Sequence, residues 1–146
     1  MTQPSGLRPA AASSLTIWHE IVASQSIAAL RSITHEQAIF RSPVAHTAYE
    51  GADALLLAIG TVMRGFFGDF TYHRTAVTAD GLNVVLEFAA TVEGKQVKGI
   101  DFIRFDEQGL IREFEVMIRP LSGLQALAAE MGRRVGQDIA AFKAKA

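Results

Sequence analysis

The sequence predicts an α+β protein: helices first, then an antiparallel sheet, then a closing helix. Three observations predict it. Apolar residues recur at helical spacing over residues 15–22, 52–67 and 121–142. From residue 69 the hydrophobic period changes to two. That second region is punctuated by turn signals at Asp80-Gly81, Glu93-Gly94 and residues 106–109 (DEQG).

The elements follow in order. Residues 1–12 (MTQPSGLRPAAA) are small, polar and Pro-containing, and read as a flexible N-terminal arm before one domain over 13–146. Ser13 or Ser14 is a suitable N-cap for a helix starting at Leu15, whose apolar face is Leu15, Trp18, Ile21 and Val22. Residues 24–26 break it, and 27–33 (IAALRSI) read as a second short helix. Residues 37–41 read as a short strand, and 42–51 as a loop, because Pro43 disfavours helix at Ser42. The next helix, 52–67, buries Leu55, Leu56, Ile59, Val62, Met63 and Phe66, with Gly65 and Gly68 helping to end it. Four strands follow, at 69–78, 82–92, 95–105 and 110–118, and Pro120 closes the sheet. Leu121, Leu124, Leu127, Ala128, Met131, Val135, Ile139 and Phe142 trace the stripe of a last helix.

Composition excludes several chemistries. The chain has 146 residues, the size of one domain with one core. Its formal net charge is -1, which does not suit a domain that binds nucleic acid by neutralising phosphates. There is no Cys, so disulfides, thiolate nucleophiles and Cys-held metals are out. No apolar run reaches the ~20 residues of a membrane-spanning helix, and the first residues lack the apolar core of a secretory signal. A cytoplasmic protein with no membrane partner is expected. Glycine-rich phosphate loops and G-x-S-x-G are absent. His19-Glu20 and His35-Glu36 do not continue as H-E-x-x-H, and the four histidines lack metal spacing, so neither metal nor cofactor is expected.

One constellation carries chemistry. In the strand GIDFIRF, alternation puts Asp101 on the face of Ile103 and Phe105, with Phe102 and Arg104 opposite. If that face is concave and apolar, desolvation raises the carboxyl's pKa and makes it a hydrogen-bond or proton donor. The alternative is that Asp101 turns the other way, pairs with Arg104 or Lys98, and only stabilises the sheet.

The run GIDFIRFDEQGLIREFEVMIRP, preceded by LEFAATVEG and earlier by AIFRSP and YEG, resembles the nuclear transport factor 2-like superfamily. Its closest likeness is to the SnoaL-like and ketosteroid isomerase branch, over roughly residues 14–124. The resemblance implies a curved antiparallel sheet wrapped around helices, a cone with an internal hydrophobic pocket, and often a dimer. Ketosteroid isomerases pair a Tyr of the first helix with a carboxylic acid in a sheet strand, and use an Asp base just before a Pro. The acid corresponds to Asp101. The base corresponds to Ser42 and the Tyr to Trp18, so one of three is kept. Polyketide cyclases of the SnoaL-like type use an Asp as acid/base in ring closure, a role open to Asp101.

In a fold of that kind Trp18, Phe40, Leu86, Phe88, Ile103, Phe105, Phe114 and Val116 converge around Asp101 as the lining of a pocket for a small hydrophobic ligand. His46 and Tyr49 follow the first strand, where the mouth is expected. With His73 they are the further candidates for acid/base work. His73 alternates opposite to Tyr72 and Arg74, and alternation alone does not decide which set faces inward. Glu113 and Glu115 alternate outward with Met117, beside Phe102 and Arg104, and this mixed outer face suits a homodimer. Two readings stand. One is a cofactor-free isomerase, cyclase or hydratase acting on a small hydrophobic molecule. The other is a non-catalytic module that binds a small ligand or a protein.

Overall fold

A computed structural model describes residues 3–144 of the chain. A first helix, α1 (Pro9–Ser24), is followed by a short 3-10 turn (Arg31–Ile33) and by strands β1 (Thr34–Arg41) and β2 (Tyr49–Glu50). Helix α2 (Ala52–Met63) leads into four long strands: β3 (Gly68–Val77), β4 (Asn83–Val92), β5 (Lys95–Phe105) and β6 (Ile111–Arg119). Helix α3 (Leu121–Ala140) follows a cis Arg119–Pro120 bond. All six strands form one sheet in the order β2-β1-β6-β5-β4-β3, antiparallel except where β1 runs parallel to β6.

The three hairpins stand at the turn signals. Gly81, Gly94 and Gly109 all have positive φ, the conformation that tight turns require and that glycine adopts without a Cβ clash. Strand β5 alternates strictly: Val97, Gly99, Asp101, Ile103 and Phe105 are buried, and their neighbours are not. Its register sets Asp101 opposite Leu86 on β4 and Val116 on β6.

The early elements differ from expectation. Helix α1 starts at Pro9, not Leu15, because Pro is well suited to a first helical turn, where its missing N–H has no partner to lose. Ser14 therefore lies inside the helix, and its hydroxyl donates to the Gly109 carbonyl at 2.6 Å. A Cβ on Gly109 would meet the Ala10 carbonyl oxygen at 2.5 Å, so glycine lets the helix dock on the β5–β6 turn. The chain just before α1 is held too, by the Arg8 N–H donating to the Gly81 carbonyl at 2.9 Å. Residues 1 and 2 of the expected arm lie outside the described residues. The expected helix over 27–33 reduces to turns and the 3-10 segment, too short a stretch to hold a helix by itself. Strand β1 gains three residues at its start by pairing with β6, and part of the expected loop, Tyr49–Glu50, pairs with β1.

Strand β3 carries two irregularities. Two residues of β3 face one of β4 between Gly68 and Thr71, and again between Tyr72 and Thr75. Each extra residue is a bulge, which increases local twist and re-aims side chains. The sheet curls, and its inner face is covered by the three helices. Leu15, Ala11, Leu86, Ile103, Phe105 and Ile111 fill the end near the β5–β6 turn. A second cluster of Phe66, Phe88, Ala90, Val92, Val97 and Leu127 lies under α3.

Candidate active site

Between these two packed regions the inner face is not filled. A cavity of about 330 Å³ opens there, bounded by the sheet, the second half of α1, α2 and α3. By the ~24 cal/mol per Å³ found for empty core cavities, a void of this size would cost about 8 kcal/mol, comparable to a domain's whole net stability. Polar groups on the wall and an open mouth let water or a ligand occupy it instead.

Asp101 stands in the wall of this cavity with 6% of its surface exposed. Tyr72, on β3, donates its hydroxyl hydrogen to Oδ2 of Asp101 at 2.5 Å. Trp18 Nε1, on α1, donates in turn to the Tyr72 hydroxyl oxygen at 3.1 Å. The other carboxyl oxygen, Oδ1, has no hydrogen-bond partner among the described residues. Among the described residues no fully buried side-chain oxygen or nitrogen is left unpaired, so Oδ1 opens onto the cavity.

Burial pushes the Asp101 carboxyl up to about 7, while the hydrogen bond from Tyr72 pulls the other way. Burial also raises the Tyr72 phenol well above its usual range, and the neighbouring Asp101 adds to that. At neutral pH the pair thus holds the phenolic proton and shares its protonation between a neutral acid and a carboxylate. Asp101 does not pair with Arg104 or Lys98. Arg104 sits 3.4 Å from Glu113, and Lys98 sits 3.5 Å from Glu87, both on the outer face.

The other sequence-derived residues divide. Trp18, Phe40, Tyr49, Phe88, Phe114 and Val116 line the cavity. Tyr49, expected on a loop, is buried in β2 beside Phe40, with ring centroids 6.5 Å apart. Leu86, Ile103 and Phe105 do not border the cavity: they are packed beneath α1, which starts early enough to fill that end. His46 is exposed in a shallow outer groove with Arg41, Glu115 and Met117. His73 is exposed as well, because the bulge turns both His73 and Arg74 outward and leaves Tyr72 inside. Neither histidine reaches Asp101's cavity.

Sequence reasoning missed Tyr72 as the partner of Asp101, and a bulge leaves no mark in the alternation. It also missed Asp69 and Gln25 at the cavity edge, and the α2 and α3 faces (Ile59, Met63, Met131, Val135) that wall it. Their helical stripes were visible but read as ordinary core. His19 was overlooked too: its ring packs edge-on against Tyr72 at 5.6 Å, and burial lowers its pKa. Ser42 lines the cavity, and its hydroxyl accepts from the Val44 N–H at 3.2 Å. Among the described residues no group of three or more His, Asp or Glu is placed to hold a metal ion, and no helix is long and apolar enough to cross a membrane.

Comparison with known proteins follows the same lines. The SnoaL-like domain matches residues 15–114. No curated protein sequence matches. Among solved structures, a steroid delta-isomerase from Pseudomonas aeruginosa is 48% identical, with a TM-score of 0.86 over 92% of this chain and 97% of that one. An uncharacterized protein with a cystatin-like fold from Silicibacter pomeroyi DSS-3 is 27% identical, with a TM-score of 0.82 over 96% and 98%. An NTF2-like protein of unknown function from Mesorhizobium loti shares the fold at 17% identity, with a TM-score of 0.67 over 78% and 98%.

Proposed function

The chain belongs to the SnoaL-like domain family, within the NTF2-like superfamily, and on that premise we propose that it is a cofactor-free acid/base enzyme acting on a small hydrophobic molecule. The observation that carries this reading is Oδ1 of Asp101. It is a buried carboxyl oxygen, open to an apolar cavity, on a group poised near neutral pH. Asp101 gives its proton, or a hydrogen bond, to an oxygen of the substrate as negative charge develops there. Tyr72 fixes the carboxyl's orientation, and Trp18 fixes Tyr72. Toward Asp101 the Tyr72 hydroxyl acts as a donor, its own oxygen accepting from Trp18.

Isomerisation and ring closure fit a single carboxyl that takes one proton from one substrate atom and returns it to another; hydration fits one that takes the proton from an attacking water and gives it to the substrate. The relative named as a steroid delta-isomerase supports trying isomerisation first. A non-catalytic ligand-binding module is the second reading, favoured by Ser42: a hydroxyl is no general base at neutral pH. A cytoplasmic location and a homodimer through the outer sheet face belong to the same proposal. For the dimer the support is Met117, 45% exposed on that face; sedimentation showing only monomer at micromolar concentration overturns it.

The test has two parts. Carboxyl NMR should show Asp101 titrating near neutral pH. Conversion of a β,γ-unsaturated ketosteroid, or deuterium exchange next to a ketone, should be lost in Asp101→Asn. An Asp101 that titrates with ordinary carboxylates, or turnover that survives its substitution, removes it from this role.

A further inference from the structure

The cavity wall has an unusual make-up. Both tyrosines, the single tryptophan and five of the nine phenylalanines line it. Its only charged members among the described residues are two carboxylates, Asp101 inside and Asp69 at the edge; no Lys, Arg or His borders it. The chain as a whole is nearly balanced, with 14 Lys and Arg against 15 Asp and Glu, so this one-sided selection is local.

Asp69 is also held in an uncommon way. Its φ is +49°, a left-handed conformation rare for a residue with a side chain, and it sits in the first bulge of β3. It lies between Phe67 and Phe70 in sequence, and those two rings stand 5.7 Å apart against Phe88. Gln25, another of the three non-glycine residues with positive φ, lines the same cavity at the end of α1. Polar side chains at a cavity edge, one of them a carboxylate, beside aromatic faces form a place for a positively polarised group. The same aromatic cluster already receives a cation from outside, the Arg134 guanidinium 5.3 Å from the Phe66 ring centre.

We propose that the ligand is an apolar molecule whose head group is a hydrogen-bond donor, an ammonium before a hydroxyl, held at the cavity edge by Asp69 and the flanking aromatic rings, and that anionic ligands are rejected. This deepens the proposed function by naming the class of ligand for the same cavity, but it is a statement about binding and does not need turnover.

The probes are three compounds of one shape: adamantyl-methylamine, adamantyl-methanol and adamantane carboxylate. Trp18, the single tryptophan and itself in the wall, reports occupancy by its fluorescence, and calorimetry gives an independent affinity. The measurement is made at about pH 6, below the value of about 7 to which burial pushes Asp101. The amine should bind at least tenfold more tightly than the carboxylate, with the alcohol between them. Asp69→Asn keeps a side chain that tolerates the left-handed backbone and removes the charge. It should bring the amine level with the alcohol. A carboxylate that binds as well as the amine overturns the inference, as does an Asp69→Asn variant with the ranking unchanged, or failure of all three compounds to bind. The acid/base reading fails separately, by the titration and turnover of Asp101.

Discussion

The Tyr72 hydroxyl stands 2.5 Å from Oδ2 of Asp101, and the two residues are brought together by strands that do not pair with each other. Strand β4 lies between them. Tyr72 is in register with Phe88 and Asp101 with Leu86, so the contact spans the width of β4 across the concave face. It forms because β3 curls over the sheet at its bulges. A flat sheet would hold the two side chains about 10 Å apart, two strand spacings.

The buried Asp101 carboxyl lowers the stability of the fold as pH rises. Its folded pKa, about 7, lies above the ordinary carboxylate value. Below about pH 4 the group is protonated in both states and contributes nothing. As pH rises toward 7 the unfolded chain ionises first, so stability falls, by roughly 4 kcal/mol in total at about 1.4 kcal/mol per pH unit. Asp101→Asn should therefore melt higher than wild type at pH 8 to 9 and at nearly the same temperature at pH 4. A variant less stable than wild type at high pH contradicts the buried, raised carboxyl.

Tyr72→Phe removes the hydrogen bond that favours the carboxylate. The Asp101 titration should move further up, and any pH–rate profile should move with it. Trp18 Nε1 loses its acceptor at the same time. An unmatched buried donor costs about 1–3 kcal/mol, to be read from chemical denaturation. A downward move of the Asp101 titration would show that the pair is arranged differently.

Ser42→Asp places a carboxylate before Pro43, on the cavity lining, where ketosteroid isomerases carry their base. General-base catalysis contributes about 10²–10⁴-fold. Conversion of the β,γ-unsaturated ketosteroid should rise by at least the lower figure, read from the absorbance of the conjugated product. No rise would mean that the cavity does not hold a steroid in that pose.

Glu87 behaves oppositely to Asp101. On the outer face it accepts hydrogen bonds from Arg74, which faces outward because of the bulge, and lies 3.5 Å from Lys98. Arg74 chiefly holds its pKa down at about 2. Its contribution is complete above the ordinary glutamate value and is lost as pH falls through the range down to about 2. Glu87→Gln should be less stable than wild type at neutral pH and should show a shallower loss of stability between about pH 4.5 and 2. Parallel curves would remove the ion pair from the pH dependence.

The β4–β6 meander was legible residue by residue. A single strand with period two, GIDFIRF, sufficed to put Asp101 on one face with Ile103 and Phe105, because side chains on a strand alternate whatever the partners are; the packing decided that this face is the inner one. The turn dipeptides fixed where the hairpins close. The early elements were less legible. The stretch over 27–33 has helical composition but folds as turns, since so short a helix lacks stability of its own.

By itself, then, the sequence determined the α+β order, the family and the shared face of Asp101, Ile103 and Phe105, because these rest on local periods and a contiguous motif. It could not choose between Tyr72 and His73, or say that Phe88 walls a cavity while Phe105 fills a core. The tertiary structure decided both. A bulge is an extra residue relative to a partner strand, and a void is space that distant helices leave uncovered. Neither quantity exists until the strands pair and α1, α2 and α3 close over the curled sheet.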